Sequence, residues 1–394
     1  MKKYWKTIVI SLVIVLTIST YYMQLAWASK DEISLELETV TGNNEEIKNL
    51  MIQGSFNDNG MYRQFTLQEG HMIHPEKRPY LQRLTSTYAP RSIQPYIEEH
   101  RDFMRGKGYN PTLYVEDDLR IIYTEIANKK PIYEDGKLKL KVDILDKQTK
   151  DRTTFEVMTN ANSKQRWSNI FDVFVEDKLI KILVYSQLMD DEEELRLYTV
   201  DVNKQQLEEE AIIAQAKANM SHINIVYNRH EIKNDTYYAY SIEQYTEDEE
   251  GERSEIINQQ VYVYNVRTNE KKELEIPENI KLANIQMMTD EEELIVSVKK
   301  ENSIEINCYN MKHNDWEESV TFATPGAMLD QGDIFMHYMN GKLYVVFRTT
   351  GSNHLLIGDI YTGKTLYEGQ FVKKDGEDLS IMDDLYVEDI YTLK

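Results

Sequence analysis

The sequence is poor in cysteine, proline and glycine. Its 394 residues include one cysteine, 8 prolines and 16 glycines, whereas tyrosine occurs 27 times. The single cysteine, Cys308, excludes an intrachain disulfide, and the scarcity of proline and glycine excludes a collagen-like or low-complexity chain. Tyrosine-rich segments suit the pleated, half-buried surface of β-strands. The composition therefore indicates a globular chain rich in strands.

Positive charge is also scarce. Lysine and arginine together number 45 against 67 acidic residues, which gives a formal net charge of −22 at pH 7. A field of this sign repels nucleic acid and favours solubility or a cationic partner. We therefore expect no nucleic-acid partner, and a cationic surface is favoured on any envelope protein that binds.

Only one long hydrophobic run is present, at residues 8–28, and three lysines at positions 2, 3 and 6 precede it. At about 1.5 Å per helical residue, the run is long enough to cross about 30 Å of hydrocarbon. Residues 1–30 therefore predict a single-pass membrane anchor with the C-terminal domain extracytoplasmic. The alternative is a cleaved signal peptide and a secreted protein, because residues 26–28 have the small-x-small form of a cleavage site. Export without disulfides indicates a bacterial cell envelope.

Residues 31–109 are predicted to contain N-terminal strands and a helical connecting segment. Residues 50–56 and 61–67 predict two strands, because a turn cluster at 57–60 joins two strand-like runs. Residues 110–394 form the remaining predicted domain, which is repetitive.

Two stretches predict helices. In residues 92–105 the apolar side chains recur at helical spacing, Ser92 is a suitable N-cap, Pro95 fits a first turn and Gly106 ends the pattern. This amphipathic helix is expected to pack on the outside or the end of the β body. Residues 205–218 have helix-forming composition and predict a short helix between two repeats.

Pairs of strand-like runs recur along residues 110–394, and their spacing of about 40–60 residues lies in the range of propeller blades. The predicted hairpins are 112–115 with 119–124, 170–175 with 179–185, 223–227 with 237–242, 285–288 with 294–298, 334–338 with 343–347, and 379–382 with 385–387.

A further strand and an Asp or Asn turn follow each of the first five hairpins. The side-chain oxygen of Asp or Asn can accept a hydrogen bond from backbone N–H groups further along a tight turn. Each turn leads into a polar fourth strand, so each repeat reads as four antiparallel strands. The five turns begin at Asp146, Asp201, Asn265, Asn310 and Asp359.

These repeats resemble the β-propeller superfamily over about residues 110–394, although the Trp-Asp and Gly-His pairs of WD repeats are absent. The resemblance implies an all-β, six-bladed propeller of four-stranded antiparallel blades, or seven-bladed if residues 34–109 form a blade of their own. It implies no activity. The sixth repeat is incomplete, and an unpaired blade edge invites aggregation. We therefore expect residues 50–67 to complete it and to join the two ends of the chain.

Two motifs of functional appearance are better explained as structure. Residues 358–365 match the phosphate-loop pattern G-x-x-x-x-G-K-[ST], but they lie in a strand and a hairpin turn with no helix to follow. His71 and His74 are spaced i, i+3 and precede Pro75, which does not fit a helical zinc motif. We therefore predict no nucleotide, no cofactor, no metal and no catalytic residues.

Two acidic runs form the one predicted partner face. Both follow the second strand of their repeats, so in neighbouring blades they are expected at the same end. A third run, at residues 290–293, is expected at the opposite end. The predicted face consists of Asp190, Asp191, Glu192, Glu193, Glu194, Glu247, Asp248, Glu249 and Glu250.

The combined hypothesis is a membrane-tethered extracytoplasmic propeller that acts as a non-catalytic binding, scaffolding or sensing module of the bacterial envelope. The alternative is an extracytoplasmic hydrolase or lyase whose carboxylates or histidines converge at the mouth of the propeller channel.

Overall fold

The chain is all-β, with every strand pair of its described part antiparallel. The computed structural model describes residues 4–28, 34–58, 61–73, 89–127, 137–160, 165–189, 191–217, 220–226, 232–247, 253–277, 280, 285–290, 292–324, 326, 328, 334–349, 352–373 and 385–393.

The N-terminal region holds the helices. Their side chains differ in burial: those described in the long first helix are exposed, including Ile10 and Val15, whereas Phe103 and Met104 of the last helix are buried. Within the described residues, no helix has both the length and the apolar character needed to cross a membrane. The transmembrane anchor therefore stays a prediction. The elements are α1 (Trp5–Ala28), β1 (Leu35–Gly42), β2 (Leu50–Asp58), β3 (Met61–Gln68), β4 (His71–Met72), α2 (Gln94–Glu99) and α3 (Arg101–Met104).

Four consecutive segments then fold into four separate sheets, in each of which four strands neighbour each other in chain order, and the fourth sheet has a fifth strand. The first sheet contains β5 (Tyr114–Glu116), β6 (Arg120–Ile126), β7 (Lys139–Asp146) and β8 (Arg152–Met158). The second contains β9 (Gln165–Glu176), β10 (Leu179–Leu188), β11 (Glu193–Asp201) and β12 (Gln206–Ala216). The third contains β13 (Ser221–Val226), β14 (Tyr237–Glu247), β15 (Arg253–Asn265) and β16 (Glu270–Leu274). The fourth contains β17 (Ile285–Asp290), β18 (Glu293–Lys300), β19 (Ser303–Asn310) and β20 (Asp315–Trp316), and β21 (Val320–Ala323) also pairs with β19.

A fifth sheet has nine strands and joins the two ends of the chain. Its order is β22-β23-β24-β25-β1-β4-β3-β2-β26. β1 pairs with β25 along its length, and β2 pairs with β26 from Leu50 opposite Thr392 to Phe56 opposite Leu385. The strand predicted at 379–382 lies outside the described residues, and the number of blades stays a prediction. The new strands are β22 (Phe335–Met339), β23 (Lys342–Thr349), β24 (Ser352–Asp359), β25 (Lys364–Lys373) and β26 (Leu385–Thr392).

The hydrophobic core lies in layers between consecutive sheets. Tyr198 of the second sheet is fully buried against the first, and Tyr240 of the third is fully buried against the second. Val261 packs against the fourth sheet, and Phe322 packs against the β22–β25 group. Strands with apolar residues on both faces bury each face against a neighbour. The tyrosine-rich composition thus fills the layers between sheets.

The five predicted Asp or Asn turns share one geometry. In each, the side-chain oxygen accepts hydrogen bonds from the backbone N–H groups two and three residues later, at 2.8–3.1 Å. The fourth residue after it has a positive φ, between 54° and 68°. We call the end of the sheets that carries these turns the corner end, and the opposite end, with the connections between second and third strands, the loop end. The phosphate-loop match at 358–365 is one of these corners, between β24 and β25.

The single amphipathic helix predicted at residues 92–105 is wrong in two respects. The segment forms α2 and α3, separated at His100, whose φ of −129° and ψ of 45° leave the helical region. Ile93 precedes α2 without a side-chain cap, and the Ser92 hydroxyl is buried instead. Ile93, Phe103 and Met104 still pack on the first sheet. A single long helix and two short helices would bury the same apolar side chains. The spacing of these side chains in the sequence therefore does not distinguish the two arrangements.

The short helix predicted at residues 205–218 is also wrong. Residues Gln206–Ala216 form β12, which pairs with β11 along the outer side of the second sheet. Helix propensity differs by less than about 1 kcal/mol per residue among ordinary residues, whereas each strand pairing satisfies exposed backbone groups. Tertiary pairing therefore outweighs the local composition.

Candidate functional site

Part of the predicted acidic face is exposed at the loop end. Asp191 lies just before β11, and its Oδ1 is 3.0 Å from Nη1 of Arg166. Glu192, the next residue, is half-exposed. Glu247 ends β14 and is exposed. Four other members of the predicted face, Asp190, Asp248, Glu249 and Glu250, lie outside the described residues.

Glu193 and Glu194 do not belong to an exposed face, which corrects the prediction for these two residues. They open strand β11, with Glu193 opposite Gln187 and Glu194 opposite Ser186, and both are buried. Glu194 pairs with Arg196, whose Nη1 also lies 2.7 Å from Oε1 of Glu210. The strand begins inside the acidic run, and successive side chains of a strand point to opposite faces of the sheet. Glu193 and Glu194 therefore point into the two interfaces with neighbouring sheets.

The side chain of Glu193, on the second sheet, contacts the third sheet. Its carboxylate lies 2.9 Å from Nδ1 of His222 and accepts a 2.8 Å hydrogen bond from the backbone N–H of Ile223. Ile223 lies on β13, the first strand of the third sheet, so the carboxylate covers a backbone donor at the strand's open edge. Burial alone would raise the pKa of Glu193, but the hydrogen bonds from His222 and Ile223 outweigh it and lower the pKa. Glu193 is therefore held as a carboxylate.

A second buried carboxylate, Glu243, lies beside this pair. Its oxygens accept hydrogen bonds from four neutral side chains: Ser241 at 2.9 Å, Gln259 at 2.8 Å, Asn224 at 3.2 Å and Tyr245 at 2.5 Å. None of these donors is cationic. Oε1 of Gln259 is buried and has no hydrogen-bond partner among the described residues. Oε1 of Gln259 is therefore an unused acceptor beside the Glu243 carboxylate, which only hydrogen bonds hold in place.

His222 contacts one of the two carboxylates, Glu193, and its strand register places it next to the other. His222 lies directly opposite Glu243 in the β13–β14 pair, and Glu243 lies opposite Gln259 in the β14–β15 pair. The His222 side chain is 36% exposed, so a ligand can reach the ring. We call this group the inner-edge cluster, and it consists of Glu193, His222, Asn224, Ser241, Glu243, Tyr245 and Gln259.

This cluster was not predicted from the sequence. A detectable signal was present, because residues 223–227 and 237–242 were predicted to pair. Extending that pairing by one residue places His222 opposite Glu243. The contact to Glu193 comes from another sheet, and no local pattern in the sequence indicates it.

Metal-ion and thiol chemistry have little support in the described part of the chain. No three His, Cys, Asp or Glu side chains there come together to hold a metal ion. Nδ1 of His71 lies 3.7 Å from Oε1 of Glu36, and His74 is outside the described residues. Burial raises the pKa of the Cys308 thiol to about 12, so this thiol stays protonated and a poor nucleophile at neutral pH.

Comparison with known proteins gives no family. No protein-family model matches the sequence, and no curated protein matches it either.

The matches to solved structures are distant, with TM-scores below 0.5. An apocarotenoid oxygenase from Synechocystis with a tryptophan-to-alanine mutation is 9% identical, with a TM-score of 0.40, over 87% of this chain and 97% of that one. The β-propeller domain of the Trilobed protease from Pyrococcus furiosus is 14% identical, with a TM-score of 0.34, over 90% and 100%. Against the cobalt-substituted Synechocystis oxygenase, this chain covers 61% of the other chain's length. Likenesses at this level carry no argument about fold or activity.

Proposed function

We propose that this protein is an extracytoplasmic binding module that captures a cationic group at the loop end of its second and third sheets. The inner-edge cluster is the binding site, and binding there requires no catalytic step. The observation that carries the proposal is Glu243, a buried carboxylate with four neutral donors and no cation among them.

The electrostatic argument has two parts. A buried carboxylate costs free energy unless hydrogen bonds or an opposite charge compensate it. At Glu243 hydrogen bonds already hold the oxygens in place, so an arriving ammonium or guanidinium group gains a charge-assisted contact with little rearrangement. Asp191, Glu192 and Glu247 lie at the same end and add an attractive field around it. The net charge of −22 supports the same sign of partner.

The proposal includes the membrane tether. α1 carries apolar side chains that are exposed, such as Ile10 and Val15, and three lysines precede its apolar run. We place α1 in the bacterial cell membrane and the sheets outside the cytoplasm, with the propeller built from six blades and β1 joining the last two. Cell fractionation tests the tether: the full-length protein should remain with membranes after a high-salt wash, and recovery in the medium with residues 1–28 removed would support secretion instead.

The binding test uses oligolysine as the probe and oligoglutamate as the negative control. Binding to the full chain is measured by calorimetry for the wild type, Glu243→Gln and Glu156→Gln. Glu156 is an exposed acid of β8 that pairs with Lys139, so its variant makes the same charge change away from the site. We expect Glu243→Gln to weaken binding at least about tenfold, or about 1.4 kcal/mol.

The control separates a site from a general field. Glu156→Gln should bind oligolysine as the wild type does. Equal weakening in both variants would show that the net charge alone attracts the peptide, and no weakening in Glu243→Gln would remove the cluster from the site. A rise in salt from 50 to 200 mM should weaken the exposed part of the attraction but leave the difference between the two variants.

A further inference from the structure

A separate group of side chains lies on the β23–β24 hairpin, at the loop end of the fifth sheet. Thr349 ends β23 opposite Ser352, the first residue of β24. His354 follows two residues later and therefore points to the same face of the sheet as Ser352. Glu368 of β25 lies opposite Leu356, so it also points to this face. Two hydroxyls, an imidazole and a carboxylate thus share one side of three adjacent strands.

The distances place these groups in a row. Oγ of Ser352 lies 2.7 Å from Nε2 of His354, and Nδ1 of His354 lies 3.8 Å from Oε1 of Glu368. Nδ1 and Oε1 are both buried, and neither has a hydrogen-bond partner among the described residues. Phe347 stacks on the imidazole with ring centroids 5.4 Å apart and planes 13° from parallel. The ring is therefore fixed with one nitrogen at the serine and the other toward the carboxylate.

The environment sets the imidazole's charge. Burial lowers the pKa of His354, so the ring is neutral at neutral pH and can accept a proton. Burial also raises the pKa of Glu368. Ser352 is half-buried, and Oγ1 of Thr349 lies 3.2 Å from the same Nε2. A nucleophile, a base in contact with it and a third group that faces the base form the arrangement typical of activated serines.

We propose that Ser352 is a nucleophile and His354 its general base in acyl transfer from an ester to water, with Glu368 as the positioning residue for the imidazole. Ser352 Oγ bonds to the carbonyl carbon while Nε2 takes the hydroxyl proton. The C–O bond to the alcohol breaks, and the alcohol leaves with that proton. Water then bonds to the acyl carbon and gives a proton to Nε2. The bond between that carbon and Oγ breaks, the acid leaves, and Oγ takes the proton back from Nε2. The net charge of −22 favours uncharged or cationic esters as substrates.

The competing explanation is that the Ser352 and Thr349 hydroxyls only satisfy a buried imidazole. A hydrogen bond of that kind leaves the serine as unreactive as any other. Reactivity toward an electrophile therefore distinguishes the two explanations. The contact at 3.8 Å does not decide between them, because catalytic hydrogen bonds are often longer before substrate binds.

The test is covalent labelling of the full chain by a fluorophosphonate, which bonds to an activated serine oxygen and releases fluoride. Intact mass follows the rate, and peptide sequencing by mass spectrometry locates the adduct. We expect one adduct, on Ser352, with no labelling of Ser352→Ala and at least 100-fold slower labelling of His354→Gln. Ser168→Ala is the matched control, because Ser168 is a strand serine that bonds to Ser186 and Gln165 with no histidine. It should label like the wild type.

Glu368→Gln tests the positioning role. The labelling rate of the wild type should decrease at acidic pH, because His354 takes a proton. The variant should change the pH at which this decrease occurs, and not only lower the rate at every pH. An unlabelled wild type, or an adduct on another residue, would overturn the proposal even if a variant fails to fold. An unchanged pH profile would remove Glu368 from it. Oligolysine binding concerns other sheets, so the two proposals can fail independently.

Discussion

The corner end and the loop end of the sheets are built on opposite principles. At the corner end, five turns repeat one arrangement of an Asp or Asn oxygen and two backbone donors. At the loop end, the second, third and fifth sheets carry different polar groups, and none repeats in the others. Repetition across sheets indicates a demand of the fold, because each sheet needs the same connection. The groups that occur once are therefore the candidates for function.

Basic side chains at the corner end support this difference. Nη2 of Arg120 lies 2.6 Å from the carbonyl oxygen of Asp177 in the second sheet. The buried Lys181 donates to the carbonyl of Val266 in the third sheet, and Lys272 donates to the Tyr309 hydroxyl of the fourth at 2.9 Å. Each contact joins one sheet to the next. The scarce positive charges thus stabilise the packing of neighbouring sheets, and the loop end keeps its buried acids.

The largest expected effect is on stability at the first sheet. Asp143 is buried, and its carboxylate contacts Lys107 at 2.5 Å and Nε of Arg152 at 2.8 Å. Lys107 follows α3 and also lies over the Phe103 ring, so the acid ties the helical segment to the sheet. Asp143→Ala leaves two cations without their partner, one of them buried, and should lower the free energy of unfolding by about 3–5 kcal/mol.

Urea unfolding measures this change. Asp151→Ala is the control, because Asp151 is an exposed acid in the same sheet, just after the corner that begins at Asp146. Its effect should stay within about 0.5 kcal/mol. Equal and small effects would show that the Asp143 group contributes little to stability.

A corner variant should have a smaller effect. Oδ1 of Asn265 accepts hydrogen bonds from the N–H groups of Arg267 and Thr268 at 2.9 and 3.1 Å. Asn265→Ala removes this acceptor and should cost about 1–2 kcal/mol, similar to the loss of a helix cap. Asn265→Asp keeps an oxygen there and should cost much less. If both variants lose the same stability in urea, the acceptor is not what the corner requires.

The smallest expected effect is a dependence on pH. Hydrogen bonds from backbone N–H groups of the turn lower the pKa values of Asp146, Asp201 and Asp359. A pKa that is lower in the folded chain contributes stability above the unfolded pKa, and this stability is lost as pH falls through the folded pKa. The triple Asp→Asn variant should therefore lose less stability than the wild type when the pH falls below about 4. Parallel curves from urea unfolding between pH 6 and 3 would contradict this explanation.

The corner end was largely predictable from the sequence, and the loop end was not. Each corner lies within five consecutive residues, and its geometry depends on the side chain of Asp or Asn, so the pattern is visible in the sequence. Glu193 meets His222 across two sheets, and His354 faces Glu368 only because β24 and β25 pair in register. Contacts of this kind depend on tertiary structure.

Burial also changed the meaning of a visible pattern. The run of acids at 190–194 indicates a charged surface by composition, yet strand β11 begins at Glu193 and turns both Glu193 and Glu194 inward. The start of a strand is among the least certain features of a sequence-based prediction. A shift of two residues in that start would have left both acids in the turn.

The separation of structure from function between the two ends is tested most directly by one pair of oligolysine titrations. Glu243→Gln changes the loop end, Asn265→Ala changes the corner end, and both residues lie in the third sheet. Measured under conditions in which both variants are folded, Glu243→Gln should bind at least about tenfold more weakly than the wild type, and Asn265→Ala should bind as the wild type does. Normal binding by Glu243→Gln, or a similar loss in both, would contradict the assignment of function to the loop end.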